Sequence, residues 1–526
     1  MLLFIGIETT RINSTFQVIV MLTLRIGSLA LISVIVSLSV SSGSRIDPAG
    51  IAGTFILSSE EKNQDAIEEF IKIAGNEAKI LILNLDATAK ANDQKQDLID
   101  KMPDANVVGL TDDNLKSELK EANAVWLVGQ NPKNIETLTE LEAFRSFLKR
   151  STIVGAGGQL IQAFGSPFTD LFPDAHILTG DTESIKHEDG KVLYKMGNGS
   201  ALVLSNRSIR SVGQGEIIVT LKQSKLKAEK KIYLKKSSRG ADLTALRFAA
   251  LDRKSPAFPT QVLSPPKVKN GSLIIIGGGP MPRMVVNKFI QLAGGDEASI
   301  VVLPTAVPDS MVPRSSAIAD TFKKFGPKEV TVLPGRKINE VDSDKYLNVL
   351  KRATGIWFGG GRQWNFVDAY HDTKALKLMH QVLDKGGVIM GSSAGASIQA
   401  EYLVRGNPLG NRDMMADGYE KGLGFLKGVA IDQHFAERNR FKDLSSVIET
   451  FPQLLGIGID EGTALIVKGP IGLVQGKGQV HFYDRKKINK PETNDYESVG
   501  RGGRYQLVQR KVLNTGKITP NKEKKE

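Results

Sequence analysis

The chain has 526 residues, a net charge of +12 and no cysteine, with 41% hydrophobic and 24% charged residues. That length exceeds what one hydrophobic core serves, so more than one domain is expected. Without Cys, disulfides, thiolate metal sites and a cysteine nucleophile are excluded together, and acyl-transfer chemistry must use oxygen. Lys and Arg thicken only around 222–236, 485–490 and 510–526, runs that suit solvated faces and chain ends. No recognition helix, zinc finger or RNA-stacking signature accompanies them, so nucleic acid is not an expected partner.

Residues 1–45 read as a leader. Arg25 precedes an uncharged stretch, Ile26 to Ser44, that ends in the small residues Ser41, Ser42, Gly43 and Ser44. A positive flank, an apolar stretch and a small-residue exit describe a secretory signal peptide. A membrane anchor is the competing reading, because about 18 or more uncharged residues suffice to cross a bilayer. Either reading makes the body of the protein exported, as a periplasmic, extracellular or membrane-anchored molecule.

Residues 46–250 alternate short β-branched runs with amphipathic stretches. Phe55–Leu57, Ile80–Leu83 and Ala124–Val128 have strand character, while Ala66–Ala74 and Leu138–Leu148 carry apolar residues three and four apart. Such alternation predicts an α/β fold with a doubly wound parallel sheet. Residues 251–270, with Pro256, Pro259, Pro265 and Pro266, read as a linker.

The pattern recurs in residues 271–485. Phe70-Ile-Lys-Ile-Ala-Gly75 is echoed by Phe289-Ile-Gln-Leu-Ala-Gly294, and Glu77-Ala-Lys-Ile80 by Glu297-Ala-Ser-Ile300. Leu119 to Trp126 matches Leu350 to Trp357, and Gly199-Ser-Ala-Leu202 matches Gly462-Thr-Ala-Leu465. Four matches in one order imply two tandem, related domains. The first is degenerate: Gly155-Ala-Gly-Gly offers no serine, and Asn198 stands opposite Glu461. Whether His176 corresponds to His434 is open. The first half is expected to serve packing or the contact of a homodimer, with a ligand role as the lesser alternative. Residues 486–526, polar and basic, are expected to form a loose tail.

Candidate chemistry lies in the second half. Gly391-Ser-Ser-Ala-Gly395 fits G-x-S-x-G, a strand-to-helix elbow that exposes one hydroxyl, here Ser393. Gly277-Gly-Gly-Pro280 lacks the G-x-G-x-x-G spacing of a dinucleotide site. A second glycine turn, Gly359 to Gly361, follows the run Gly355–Phe358. Gly360 or Gly361, with Ala394, would supply the amides of an oxyanion hole. Among six histidines, His371 and His380 have surface character and His481 sits in a late β region. His434 directly follows an apolar run, where parallel sheets gather working residues. Asp460 and Glu461 close another apolar run, and by position either carboxylate could orient an imidazole. All three groups would then stand at one sheet edge. Arg438 and Arg440 behind His434 suit forked recognition of a carboxylate.

Together, G-S-S-A-G-A, D-Q-H-F with R-x-R, and G-I-G-I-D-E resemble the cyanophycinase and aspartyl dipeptidase family of serine peptidases. The resemblance runs from about Ser272 to about Gly478. It implies a fold related to class I glutamine amidotransferases, hence flavodoxin-like, and hydrolysis of aspartyl or β-aspartyl peptide bonds without metal or cofactor. It assigns Ser393 as nucleophile, His434 as base and Glu461 as orienting acid. Gln363, Asp432, Gln433, Arg438 and Arg440 fall where the family lines its substrate pocket. Two departures change charge there: Arg362 replaces the acid of the family's G-G-D-Q, and Asp443 replaces a third arginine. A competing expectation is a non-catalytic binding or scaffold protein derived from this family.

Overall fold

Runs such as Leu273-Ile-Ile-Ile276, Val301-Val-Leu303 and Ile389-Met390 have no polar member, as strands covered on both faces by helices require. The computed structural model describes residues 46–86, 89–150, 152–166, 169, 171–180, 187–224, 227–485 and 495–518. It also describes the backbone of three strands, Phe4–Ile12, Thr15–Arg25 and Leu31–Val40. Those three pair antiparallel in chain order within a unit of their own, Met1–Asp47. The expected leader core falls partly at 26–30 and 41–45, outside the described residues. Among the described residues no helix is long and apolar enough to cross a membrane.

Residues Pro48–Glu526 form the second unit, an α/β assembly. In its first half, parallel strands Asn106–Gly109, Ile80–Asn84, Ala124–Val128, Ile153–Gly157 and Thr54–Ser58 lie side by side in that order. Antiparallel strands Ser200–Ser205, Ser208–Gly213 and Ala241–Asp242 continue the sheet. In the second half the order is Glu329–Val332, Ser299–Leu303, Gly355–Phe358, Val388–Ser392 and Val268–Ile276, again parallel. Antiparallel Thr463–Gly469 and Ile471–Gly476 follow. Strand for strand, the two sheets share one order.

Each half also carries a smaller sheet in which parallel strands, two in the first half and three in the second, are extended by antiparallel ones. In the second half Leu426–Gln433 and Leu455–Ile459 run parallel, with Gln433 opposite Ile459. In the first half Ala175–Thr179 and Val192–Met196 do the same, with Thr179 opposite Met196. This register sets Gly180, not His176, at the place of His434, which resolves the correspondence left open by the sequence.

Helix ends follow their side chains: Asn63 Oδ1 accepts from Ala66 N at 3.1 Å, and Thr373 Oγ1 from Leu376 N at 3.1 Å. The expected helix Leu138–Leu148 is two helices, Lys133–Glu140 and Glu142–Leu148, because Leu141 adopts an extended conformation between them. The tail expected to be loose is folded over 495–518. Strands Tyr496–Val499 and Arg504–Gln506 join the smaller and larger sheets, and Tyr505 is buried in a stack on Phe482 with ring centroids 3.7 Å apart. Of its aromatic residues Tyr505 is buried and Tyr496 half-buried, despite the basic composition around them. The remainder of 486–526 lies outside the described residues. The proline-rich linker is packed rather than free, with Phe258 stacked on Tyr402.

The halves meet around Arg207. Its guanidinium binds Asp242 at 2.6 and 2.9 Å within the first half. It crosses to Asp368 at 2.7 Å and the Tyr419 hydroxyl at 2.7 Å, and lies over the Trp364 ring. Burial opposes its charge, yet Asp242, Tyr419 and Asp368 leave its pKa raised. Burial also lifts the Asp368 carboxyl to about 6, against the pull of Arg207.

Candidate active site

The strand Val388–Ser392 ends in a turn that only small residues fit. A Cβ on Gly391 would lie 2.1 Å from the Gly395 carbonyl oxygen, and one on Gly395 2.1 Å from that of Phe358. Ser393 itself has φ +56°, ψ −115°, a backbone conformation rare for a residue with a side chain. Its amide is held by the Ile276 carbonyl at 3.0 Å, which leaves the hydroxyl projecting from the sheet.

Ser393 Oγ lies 2.9 Å from His434 Nε2, and His434 Nδ1 lies 2.5 Å from Glu461 Oε1. Each residue follows a strand's carboxyl end, but the strands belong to two sheets rather than the one expected. Ser393 leaves the nine-stranded sheet, while His434 and Glu461 leave adjacent parallel strands of the five-stranded one. Gly277–Gly279 joins them: the Gly277 carbonyl accepts from His434 N at 2.6 Å and the Gly278 carbonyl from Gly462 N at 2.8 Å.

Burial lowers the His434 pKa; Glu461 pulls it upward and the cations of Arg438 and Arg440 push it down. The imidazole is therefore neutral at neutral pH, with Nε2 free to accept the serine proton while Nδ1–H donates to Glu461. Of the two adjacent acids, only Glu461 faces the ring. Asp460 is buried and accepts from Ala436 N at 3.1 Å and Gln479 N at 2.9 Å, and it pairs with His481 at 3.2 Å.

Gly360 adjoins the serine, the position of a Cβ there being 3.4 Å from Ser393 Cβ. Among the described residues, the amides of Gly360 and Ala394 donate to no backbone or side-chain acceptor. Gly361 is turned against Ala306, whose carbonyl would be 2.3 Å from a Cβ at 361.

The expected pocket residues divide. Arg438 is exposed beside the site. Gln433 is buried, and its Oε1 has no hydrogen-bond partner among the described residues. Asp432, wholly buried, is clasped by Arg405 at 3.0 Å and by Arg440 at 2.8 Å, and the same Arg440 Nη1 donates to the Gln433 carbonyl at 2.7 Å. Gln363 spends its amide NH2 on the carbonyls of Val404 and Arg405 at 3.0 and 2.9 Å. Asp443 pairs with Arg405 at 2.6 Å, which completes a charge-balanced quartet.

Sequence reasoning passed over Arg405, whose role depends on partners 27 and 38 positions away. It also read His371 and His380 as surface groups. Both are half-buried, and their Nε2 atoms lie 3.1 and 2.9 Å from the carbonyls of Lys421 and Leu423.

An α/β chain with a serine elbow, a neutral imidazole and a carboxylate in hydrogen-bonded line belongs among hydrolases that use a serine. Comparison with known proteins narrows the class. The model of peptidase family S51 matches residues 273–471. A cyanophycinase from Synechococcus elongatus is 34% identical over 229 residues, covering 42% of this chain and 70% of that protein. A cyanophycinase from Trichormus variabilis is 28% identical over 269 residues, covering 47% of this chain and 89% of the relative. Among solved structures, a peptidase from an acI-B1 Actinobacterium matches with TM-score 0.36 at 22% identity, covering 45% of this chain and 97% of that one. The chain belongs to peptidase family S51, serine-type peptidases that include the cyanophycinases.

Proposed function

We propose that the protein is an exported peptidase that hydrolyses aspartyl or β-aspartyl peptide bonds through an acyl-enzyme. The observation carrying this reading is the line Ser393 Oγ, His434 Nε2, His434 Nδ1, Glu461 Oε1, with spacings of 2.9 and 2.5 Å. Ser393 attacks the scissile carbonyl as His434 takes its proton. The amides of Gly360 and Ala394 receive the oxyanion. His434 then protonates the leaving amine, and water, deprotonated by the same imidazole, releases the acid. Arg438 offers a cation to a substrate carboxylate, and Gln433 Oε1 an unused acceptor to a peptide N–H. The aspartyl preference rests on the cyanophycinase relatives, and export on the charge and hydropathy pattern of residues 1–45.

The first half, in this reading, is a duplicated copy that has lost the chemistry. Support comes from the shared strand order and from the residues at the three key places, Gly158, Gly180 and Asn198. Where the second half has Gly278 and Gly279, the first has Glu60 and Glu61. Glu61 Oε1 accepts from Gln130 at 2.6 Å and Glu60 Oε1 from Gly199 N at 2.9 Å, so carboxylates occupy the space a base would need.

The test is incubation of the purified protein with cyanophycin, β-Asp-Arg and a panel of aspartyl dipeptides, beside Ser393→Ala. Hydrolysis by the parent and none by the variant is expected; equal hydrolysis by both removes the assignment.

A further inference from the structure

Two arginines, one from each half, rest on a single turn near the glycine loop that borders Ser393, and among the described residues neither has a salt-bridge partner. Arg362 follows the glycine turn that borders Ser393, two residues after Gly360, and two residues span at most about 7.6 Å of chain. Its Nη2 donates to the Asn407 carbonyl at 3.0 Å, the same oxygen that accepts from Gly410 N at 3.2 Å. Arg239 belongs to the first half, on the exposed connection between the strands Lys230–Leu234 and Ala241–Asp242. Its guanidinium reaches across to Gly410, where Nη1 lies 3.0 Å and Nη2 3.2 Å from the position a Cβ would take. Both side chains thus rest on one turn, Asn407–Gly410.

Like charges so placed repel. The Arg362 pKa is lowered, first by burial and then by Arg239, and no carboxylate acts on it in return. The acid on this loop, Asp413, is engaged by Asn407 Nδ2. Elsewhere the protein neutralises its buried arginines: Arg405 and Arg440 share Asp432, and Arg207 has Asp242 and Asp368. Arg362 is half-buried and Arg239 exposed, and two guanidinium groups held on one turn repel each other unless an anion from outside binds between them.

We propose that Arg239 and Arg362 form a binding site for a carboxylate of the peptide substrate, so that the first half, lacking chemistry of its own, completes the active site of the second. This rests on the hydrolytic reading above and adds the group that the substrate must carry and the residue outside the family-matched region that recognises it. Two forks converging on one carboxylate give more charge-assisted bonds, in a fixed planar geometry, than a lone lysine would.

The experiment uses the full chain and succinate as a minimal dicarboxylate, with binding followed by calorimetry and KM measured on an aspartyl dipeptide. Arg239→Ala is expected to weaken succinate binding and raise KM about tenfold, the loss of a charge-assisted hydrogen bond, with kcat changing less than KM. Arg362→Gln should act in the same direction, while Arg412→Ala, an exposed arginine of the same loop, should leave both values unchanged. Arg239→Lys should recover part of the loss. Succinate binding and KM that match the parent in Arg239→Ala would overturn the proposal, as would an equal effect of Arg412→Ala. If the parent binds succinate through Arg239 yet cleaves no aspartyl peptide, the carboxylate site stands and the hydrolytic reading falls. If it cleaves and Arg239→Ala has the parent's KM, the site falls and the hydrolytic reading stands.

Discussion

A Cβ on Gly278 would stand 2.3 Å from Cε1 of the His434 ring. The ring occupies the volume a side chain at 278 would fill, and the neighbouring Gly279 leaves room in the same way for Glu461, whose Cβ would be 2.9 Å from a Cβ there. The triple glycine is thus a cradle for the base and the acid rather than a ligand loop. Gly278→Ala must displace the imidazole, and it also places a side chain at φ +108°. Since about 1 Å of misplacement costs roughly a hundredfold in rate, kcat on an aspartyl dipeptide should fall by about that factor or more. Labelling of Ser393 by a fluorophosphonate should slow in parallel. A variant with unchanged kcat would mean that the ring can sit elsewhere without loss.

The adjacent acids should separate by phenotype. Glu461→Gln removes the charge that orients His434 and should lower kcat by about four orders of magnitude with little change in Tm. Asp460→Asn touches the buried bonds to Ala436, Gln479 and His481, and should lower Tm while leaving a measurable kcat. Paired kinetics and thermal unfolding of the two variants check this. Exchange of the two phenotypes would reverse the assignment.

Arg438 sets the acid limb of activity. The base works when neutral, and its folded pKa lies below the ordinary imidazole value because of burial, with Arg438 adding to the depression. Activity should therefore be full above that lowered pKa and decline as pH falls through it. Arg438→Gln removes a cation that opposes protonation, so the His434 pKa rises and the acid limb of kcat/KM moves to higher pH. A limb that stays in place, or moves to lower pH, contradicts the stated electrostatics.

The placement of Ser393, His434 and Glu461 at strand ends was legible because an apolar run followed by small or polar residues reports where a parallel strand stops. The two-sheet origin of the site was not, since it depends on which strands pair, and the pairing partners are distant in sequence. Gly278 has no evident role in the sequence once a dinucleotide site is excluded, because the reason for glycine there is the ring of a residue 156 positions later. The resemblance places Asp432 and Arg440 at the substrate pocket, but a sequence does not show that they pair with each other and with Arg405. The folded segment around Tyr505 was hidden for a related reason: its basic composition outweighed the stacks of Tyr505 on Phe482 and of Tyr496 on Phe441 that anchor it. Arg239 lies outside the region that carried the family motifs, so only the meeting of the two halves brings it into view.

Arg207 should hold the halves together in a pH-dependent way. Arg207→Ala leaves Asp368 buried without its cation, whereas Asp242 keeps its bond from Ala245 N at 2.8 Å as the cap of the helix Leu243–Asp252. Removing one partner of a buried pair costs about 3–5 kcal/mol, so Tm should fall by several degrees. The sign with pH follows from Asp368, whose folded pKa of about 6 lies above the ordinary aspartate value of 3.8. Between those values the folded state holds a proton that the unfolded state has released, so this group's contribution to stability is lost as pH rises through the folded pKa. Without Arg207 the folded pKa climbs further, since Asp368 then keeps the Tyr419 hydroxyl at 2.6 Å but loses its cation, and protonation at low pH relieves more of the cost of burying the charge. The Tm difference between parent and Arg207→Ala should therefore be larger at pH 8 than at pH 5. Thermal unfolding at the two pH values decides it, and a difference that is equal at both, or larger at pH 5, would show that Asp368 is not the group left stranded.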